Sequence, residues 1–250
     1  MKPKLLSVVI PSFNEMANLQ KGTLYKVRNF LKDKKFKFEI IVVDDGSTDG
    51  SREYVERFVV VNHESKLIKN DHTGKAGAVT RGMLAASGDL ILFTDMDQAT
   101  PIEEIENLLP FFQKNYDIVI GSRNTTRRGA PMTRKIMAKS MIVLRTALVG
   151  LRDIEDTQCG FKIFTKDASN QIFSKINTLH KFGRVEGSAV TAGFDIEILY
   201  LASQLGFKIR EVPVDWLYVE TRRVNPITDS IKGLFELLKI KKNIISGTYK

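Results

Sequence analysis

A single cysteine, Cys159, rules out an internal disulfide, so the core alone must hold the chain together, and the composition fits a reducing compartment. Three histidines, His63, His72 and His180, lack the spacing of a zinc site. No apolar run approaches the roughly 18 residues that a membrane-spanning helix takes. The run from Leu5 to Ile10 stops at Pro11 with no small-residue cleavage site behind it, so a first strand is expected there rather than a signal peptide. Internal repeats and low-complexity tracts are missing too.

Two phosphate-binding signatures are also absent. Gly74 and Lys75 resemble the end of a P-loop, but Lys69 stands where its first glycine belongs and Ala76 where Ser or Thr must hold a metal. The turn Pro11 to Glu15 contains no glycine, which disfavours an NAD or FAD fingerprint. Acids vanish from one long stretch. Between Gly121 and Arg152 stand Arg123, Arg127, Arg128, Arg134, Lys135, Lys139, Arg145 and Arg152 without one Asp or Glu, in a chain of net charge +9. Such a block wants an anionic partner: nucleic acid, phospholipid headgroups or a phosphorylated substrate. No aromatic residue interleaves with these cations to stack on bases, so nucleic acid is not expected.

What is present is enough apolar residue, 43% of 250, to bury one domain with an appendage. The chain is organised around Asp89 to Gln98. Leu90 to Phe93 are too few for a helix and read as a buried strand, which exits into two carboxylates spaced i, i+2, Asp95 and Asp97. Ligands of open parallel sheets bind beyond the carboxyl ends of the strands. Two hard oxygen ligands at this spacing suit Mg²⁺ or Mn²⁺, which keep positions open for phosphate oxygens; the same pair could instead cap a turn into the next helix.

Other segments repeat the theme. Phe38 to Val43 is a strand that exits into Asp44 and Asp45; Val59 to Val61 and Leu67 to Ile68 are weaker strands. Gly74 to Ala86 is a small-residue helix whose first N–H groups are aimed at a phosphate. Pro101 to Phe112 reads as a helix, Asp117 to Gly121 as a strand leaving into Arg123, and Phe161 to Phe164 as another strand followed by a helix around Ala168 to Ile176. Leu179 to Gly193 is glycine-bearing and expected as a mobile loop over the site. A helix from Phe194 carries Asp195 and Glu197 in its first turn, and a last strand spans Phe207 to Val214. Pro131 to Leu148 and Ile227 to Ile245 are basic amphipathic helices, which either pack on the sheet with solvated cations or lie on a membrane surface. Strand and helix alternate throughout, which predicts an α/β fold with a mostly parallel sheet and the acidic motifs at one edge.

Taken in order, Val8 to Glu15, Val42 to Asp49, Thr94 to Asp97, Gly121 to Arg123 and Asp156 to Lys162 resemble a family-2 glycosyltransferase of the GT-A fold. Gly193 to Glu197 and Glu211 to Trp216 are most similar to its dolichyl-phosphate β-glucosyltransferase and prokaryotic polyprenyl-phosphate branch. The resemblance runs from about Leu5 to Trp216. It implies a catalytic domain over 1–216 and a basic helical appendage over 217–250. It also implies that Pro11, Phe13, Glu15, Asp44, Asp45, Lys75, Asp95 and Met96 contact a nucleotide sugar, and that Asp97, with Asp95, holds Mg²⁺ or Mn²⁺. Relatives that make mannosyl lipids place a glutamine two residues after the second aspartate, whereas here Gln98 follows it immediately. The Gln-x-x-Arg-Trp motif of processive synthases does not occur, which favours a single transfer.

The expected reaction is inverting transfer of one sugar, by resemblance glucose from UDP-glucose, to a polyprenyl or dolichyl phosphate. The protein is expected to be cytoplasmic, attached peripherally to an anionic membrane surface, with no obligate protein partner. Arg123, Arg127, Arg128 and Arg134 are the candidates for holding the acceptor phosphate. A lipid phosphate is already ionised and needs no strong base. A hydroxyl acceptor on a glycan or protein needs one, and Asp195 is then the candidate base unless it is only a helix-start acid. A non-catalytic nucleotide-binding protein is the third reading.

Overall fold

The computed structural model describes residues 3–123, 142–185, 192–217 and 226–249. Strands β1 (Leu5–Ser12), β2 (Lys37–Asp44), β3 (Ser65–Lys69), β4 (Leu90–Thr94), β5 (Ile118–Ser122), β6 (Phe161–Thr165) and β7 (Ile209–Pro213) form one sheet, ordered β3-β2-β1-β4-β6-β5-β7. Among the described strands only β6 runs against the rest, inserted between β4 and β5. A short apolar run carries no mark of its direction, so the sequence could not show this reversal.

The period of two sorts the strand residues between two cores. Val9, Ile41, Val43, Ile91 and Phe93 face one side, and Val8, Ile10, Ile40, Val42 and Leu92 the other, all fully buried. Each such side chain contributes roughly 1.5–3 kcal/mol by leaving water. On the first side pack α4 (Gly74–Ala85), α6 (142–149), α7 (Lys166–His180), α8 (Ala192–Gln204) and α9 (Pro226–Ile245). On the second lie α1 (Met16–Gln20), α2 (Thr23–Lys32), α3 (Ser51–Val61) and the short α5 (Ile105–Leu108).

Three expectations change here. Val59 to Val61 are not a strand but the last turn of α3, because Val55 and Phe58, spaced for a helix, bury while Val60 and Val61 stay exposed. The helix expected over Pro101 to Phe112 is broken into a 3-10 turn, α5 and a second 3-10 turn; Pro110 supplies no N–H to continue the ladder. Arg145, expected among solvated or phosphate-bound cations, is buried, and its guanidinium donates to the carbonyls of Ile154 and Glu155 and to Thr157 Oγ1. The C-terminal helix is fastened to the body: Leu237 and Ile240 join the first core, and Tyr249 Oη donates to Glu197 Oε1 at 2.6 Å.

The strand order turns at β1, with β2 and β3 to one side and β4 to the other. That switch leaves a crevice beyond the carboxyl ends of β1 and β4, where open α/β sheets take ligands. Because β6 is reversed, the loop that precedes it, Asp156 to Gly160, reaches the same edge, with Phe161 registered against Thr94.

Candidate active site

The turns leaving β1 and β2 are stitched together. Asn14 N donates to Ser47 Oγ (3.0 Å), Glu15 N to Ser51 Oγ (2.9 Å) and Met16 N to Asp49 Oδ2 (3.0 Å), while Asn14 Oδ1 accepts from Thr48 N (2.8 Å). Asn14 takes the left-handed conformation, φ 55°, which a short polar side chain tolerates best after glycine. The result is a rigid rim carrying Pro11, Phe13 and Glu15. Phe13 stacks on His72, centroids 4.2 Å apart, at the mouth of a groove of about 1620 Å³ that Gly46 and Thr48 also line. Asp44, fully buried, accepts from Arg52 Nε at 2.7 Å through one oxygen; its other oxygen and the hydroxyl of Ser12, its register partner, are buried without a hydrogen-bond partner. An orphaned acceptor of this kind is a place for a ligand donor.

Asp45 plays a different part from the expected one. Its carboxylate accepts from Asn70 Nδ2 (2.7 Å), Thr73 N (2.8 Å) and Gly74 N (2.8 Å), and His72 Nδ1 lies 3.1 Å away. Both oxygens are thus engaged within the protein. Two N–H groups where α4 begins, those of Thr73 and Gly74, donate to this carboxylate, the anion that a helix N-terminus favours.

Beyond β4, Asp95 and Asp97 line a cavity of about 170 Å³ together with Thr100, Arg123, Gln158 and Trp216. Lys75, the second residue of α4, sets its ammonium 2.6 Å from Asp95 Oδ1 and 5.4 Å from the centre of the Phe93 ring. Burial opposes the charge on Lys75, but Asp95, Asp195 and Asp97 outweigh it and hold its pKa above the ordinary lysine value. Burial pushes the Asp97 carboxyl up, and the charge of Asp95 adds to the effect. Glu15 is raised in the same way, by burial first and then by Asp97, Asp95 and Asp49, against the hydrogen bond from Asn18. Glu15 and Asp97 are thus both raised by burial and by neighbouring carboxylates, while Lys75 and Lys21 act on Asp97 in the opposite sense.

Gly160 makes room for this arrangement, since a Cβ there would sit 2.0 Å from Asp95 Oδ2. Gly160→Ala is expected to displace the Asp95 carboxylate and lower turnover about 10²-fold with little change in thermal stability, the effect of an ångström-scale misplacement; steady-state kinetics beside a melting curve check this.

Arg123 leaves β5 as expected, but its fork is taken. Nε and Nη2 donate to the two oxygens of Asp156 at 2.7 and 2.8 Å, and Asp156 is aimed by Glu211, whose carboxylate accepts from the backbone N–H of Glu155 (2.6 Å) and Asp156 (2.7 Å). Burial opposes the ionised form of Asp156, and Arg123 overrides it and keeps the carboxyl below its usual range. The Trp216 ring centre lies 5.9 Å from the guanidinium carbon, and Leu217 N donates to Ala99 O (2.7 Å), tying the exit of β7 to the acidic turn. Asp195 accepts from Lys162 Nζ at 2.5 Å.

The donor set fits a hard divalent ion. The two carboxylates beside the cavity offer oxygen only, and no group of three His, Cys, Asp or Glu closes a cage among the described residues, so an ion there would keep positions for ligand oxygens.

The profile of Glycosyl transferase family 2 matches residues 7–174. The chain belongs to that family. The dolichyl-phosphate beta-glucosyltransferase of Dictyostelium discoideum is 33% identical over 261 residues, 98% of this chain and 76% of that protein. Among solved structures, glucosyl-3-phosphoglycerate synthase from Mycobacterium tuberculosis in complex with UDP has a TM-score of 0.59 at 20% identity, over 96% of this chain and 80% of that one. Mannosyltransferase PcManGT from Pyrobaculum calidifontis, in complex with GDP-Man and Mn²⁺, has a TM-score of 0.52 at 18% identity, over 85% of this chain and 55% of that one. The fold is GT-A, and the protein is a glycosyltransferase.

Within this family 2 glycosyltransferase the predicted residues other than Asp45 and Asp195, which are held by Asn70 and Gly74 and by Lys162, fall into three groups. Pro11, Phe13, Glu15, Asp44, Lys75, Asp95, Asp97 and Arg123 lie at the carboxyl edge of the sheet. Met96, expected at the nucleotide sugar, turns its side chain into the second core, so only its backbone is available to a ligand. Arg127, Arg128 and Arg134 lie outside the described residues. Sequence reasoning missed Asp156, Glu211 and Asn70 as organisers; the first two stand within quoted motifs, but a role through another side chain has no spacing signature.

Proposed function

We propose that this glycosyltransferase moves one glucose from UDP-glucose, with inversion, to a polyprenyl or dolichyl phosphate at an anionic membrane surface. The observation that carries the reading is that one small cavity beyond the carboxyl end of β4 brings Asp95 and Asp97 together with Arg123 and Trp216. The name of the Dictyostelium relative supports the sugar and the acceptor, and the UDP complex of a fold neighbour supports the nucleotide.

Asp97, with Asp95, would hold Mg²⁺ or Mn²⁺, an ion that neutralises charge on a departing diphosphate. The rim of Pro11, Phe13 and Glu15 and the orphaned oxygen of Asp44 bind and orient the nucleoside. Lys75, paired with Asp95, adds a positive charge beside the diphosphate, and Arg123, fixed by Asp156, offers another to the acceptor phosphate, which attacks the anomeric carbon from the face opposite the nucleotide. No proton need be removed from an ionised phosphate.

No helix among the described residues is long and apolar enough to cross a membrane. A surface attachment is favoured by α9, where Leu234, Phe235, Leu238 and Ile245 are exposed on the side away from Leu237 and Ile240, with Lys241 and Lys242 interspersed.

The test is to incubate the protein with Mg²⁺ or Mn²⁺, a short polyprenyl phosphate and separate nucleotide sugars, and to look for a glycolipid. Glucolipid from UDP-glucose is expected, with other donors at least about tenfold slower. Binding to phosphatidylglycerol vesicles is expected to weaken with salt and with Phe235→Ser. Transfer only to hydroxyl acceptors would sink the proposal.

A further inference from the structure

The site above leaves one buried charge unused. Lys162, on the reversed strand β6, is fully buried, a rare state for lysine unless it is paired. Its ammonium donates to Asp195 Oδ1 at 2.5 Å and to the carbonyl of Cys159 at 2.6 Å, and lies 5.7 Å from the centre of the Phe93 ring. The same ring has the Lys75 ammonium 5.4 Å from its centre. Two ammonium–carboxylate pairs, Lys75 with Asp95 and Lys162 with Asp195, thus flank one aromatic side chain directly beneath the acidic turn.

We propose that Lys162 is a positioning residue for sugar transfer: it fixes the Asp195 carboxylate so that Lys75 stays with Asp95 instead of being drawn to Asp195. The inference rests on the placement of Lys75 and Asp95 in the active site proposed above. A buried ion pair is costly to desolvate, and apolar residues of equal volume often stabilise a fold better, so stability alone is a weak reason for this one. The exposure of the pair is one-sided. The lysine side chain shows none of its surface, while that of Asp195 shows 12%, so the hidden cation serves the acid. The charge of Asp195 reaches both Lys75 and Arg123 and favours their protonated forms. An unanchored Asp195 would compete with Asp95 for Lys75.

Lys162→Met, near in length and neutral, is compared with Lys162→Gln, which keeps an N–H to donate, and with Lys162→Met in an Asp195→Asn background. The measure is release of nucleoside diphosphate, which reads turnover with any acceptor. If the acceptor in the proposed function is wrong, the wild type releases nucleoside diphosphate by slow transfer of the sugar to water, with free sugar and no glycolipid, and the variants are compared on that hydrolysis. Lys162→Met is expected to lower kcat about 10²-fold with the KM for nucleotide sugar within threefold, and Lys162→Gln to recover part of the loss at equal folded fraction. In the double variant no orphan charge is left, so stability returns. Its kcat regains at least about a tenth of the wild-type value, because the neutral amide that replaces Asp195 no longer draws Lys75 away from Asp95. Should Lys162→Met fail to fold, the double variant and Lys162→Gln decide. Wild-type kcat in Lys162→Gln and in a folded Lys162→Met would overturn the proposal, as would a stable double variant no faster than Lys162→Met.

Discussion

Asp97→Ala is expected to remove sugar transfer almost completely, about 10³-fold or more in kcat/KM, while the protein stays folded. The carboxylate lies beside the small cavity, accepts a hydrogen bond only from Ala99 N (3.0 Å) among the contacts resolved for it, and makes no ion pair among the described residues, so little of the fold depends on it. What depends on it is the place for a divalent ion opposite the diphosphate, and losing one preorganised stabiliser of developing charge costs about 10²–10³ in turnover even where no metal is involved. Stability should move the other way. Burial and Asp95 raise the pKa of Asp97, so the native state holds its proton at pH values where the unfolded chain has released it. Stability from this group is fully present below the unfolded pKa and is lost as pH rises through the folded one. At neutral pH the ionised Asp97 therefore destabilises the protein, and Asp97→Ala should melt higher than wild type. Metal affinity should fall as pH drops through the same raised pKa, because the ion competes with a proton. A variant with near-native transfer, or one that melts lower at neutral pH, would show that Asp97 is a structural cap instead.

Glu15 belongs to the same balance. Its pKa is raised mainly by burial and then by Asp97 and Asp95, so an ion bound at the two aspartates would relieve Glu15 as well. The acidic edge is built to be uncomfortable without a cation, and Lys75 supplies part of one from within the chain. This is strain held at a functional place by rigid strands on either side.

β2 and β4 were legible because each is a short apolar run that stops at acids, and a period of two with burial on both faces needs no partner to be recognised. Direction was not legible: β6 reads like its neighbours, and its reversal, which brings Asp156 and Gly160 to the acidic turn, follows from topology alone. The acids themselves were found, but not their employment. Asp44 and Asp45 are adjacent and look alike in sequence, yet one has an orphaned oxygen and the other has none to spare. The place of Arg123 after β5 was legible, but not its grip on Asp156, a partner 33 residues away that only folding supplies.

That contrast makes Asp45→Ala the most severe change expected for stability. Asp45 is 2% exposed and answers Asn70 Nδ2 and the backbone N–H groups of Thr73 and Gly74. Alanine would leave the backbone N–H groups of Thr73 and Gly74 without their acceptor, at about 1–3 kcal/mol each, while Asn70 Nδ2 keeps Thr73 Oγ1 at 2.6 Å. The total, on the order of 2–6 kcal/mol, is a large share of the roughly 5–15 kcal/mol that holds a typical domain together. For a chain of this size the melting temperature should fall by about 10 °C or more. Asp45→Asn, which keeps one carbonyl oxygen but turns an amide NH₂ toward donors, should recover less than half of the loss. The damage should also reach the chemistry, because Thr73 and Gly74 begin the helix that carries Lys75, and a frayed start to α4 lets its ammonium leave Asp95. A ribose ligand would behave in the opposite manner: its removal would weaken nucleotide binding and leave the melting curve in place. Calorimetry of nucleotide binding set beside thermal unfolding of the two variants therefore separates a contact made to the ligand from one made to the loop that carries the site.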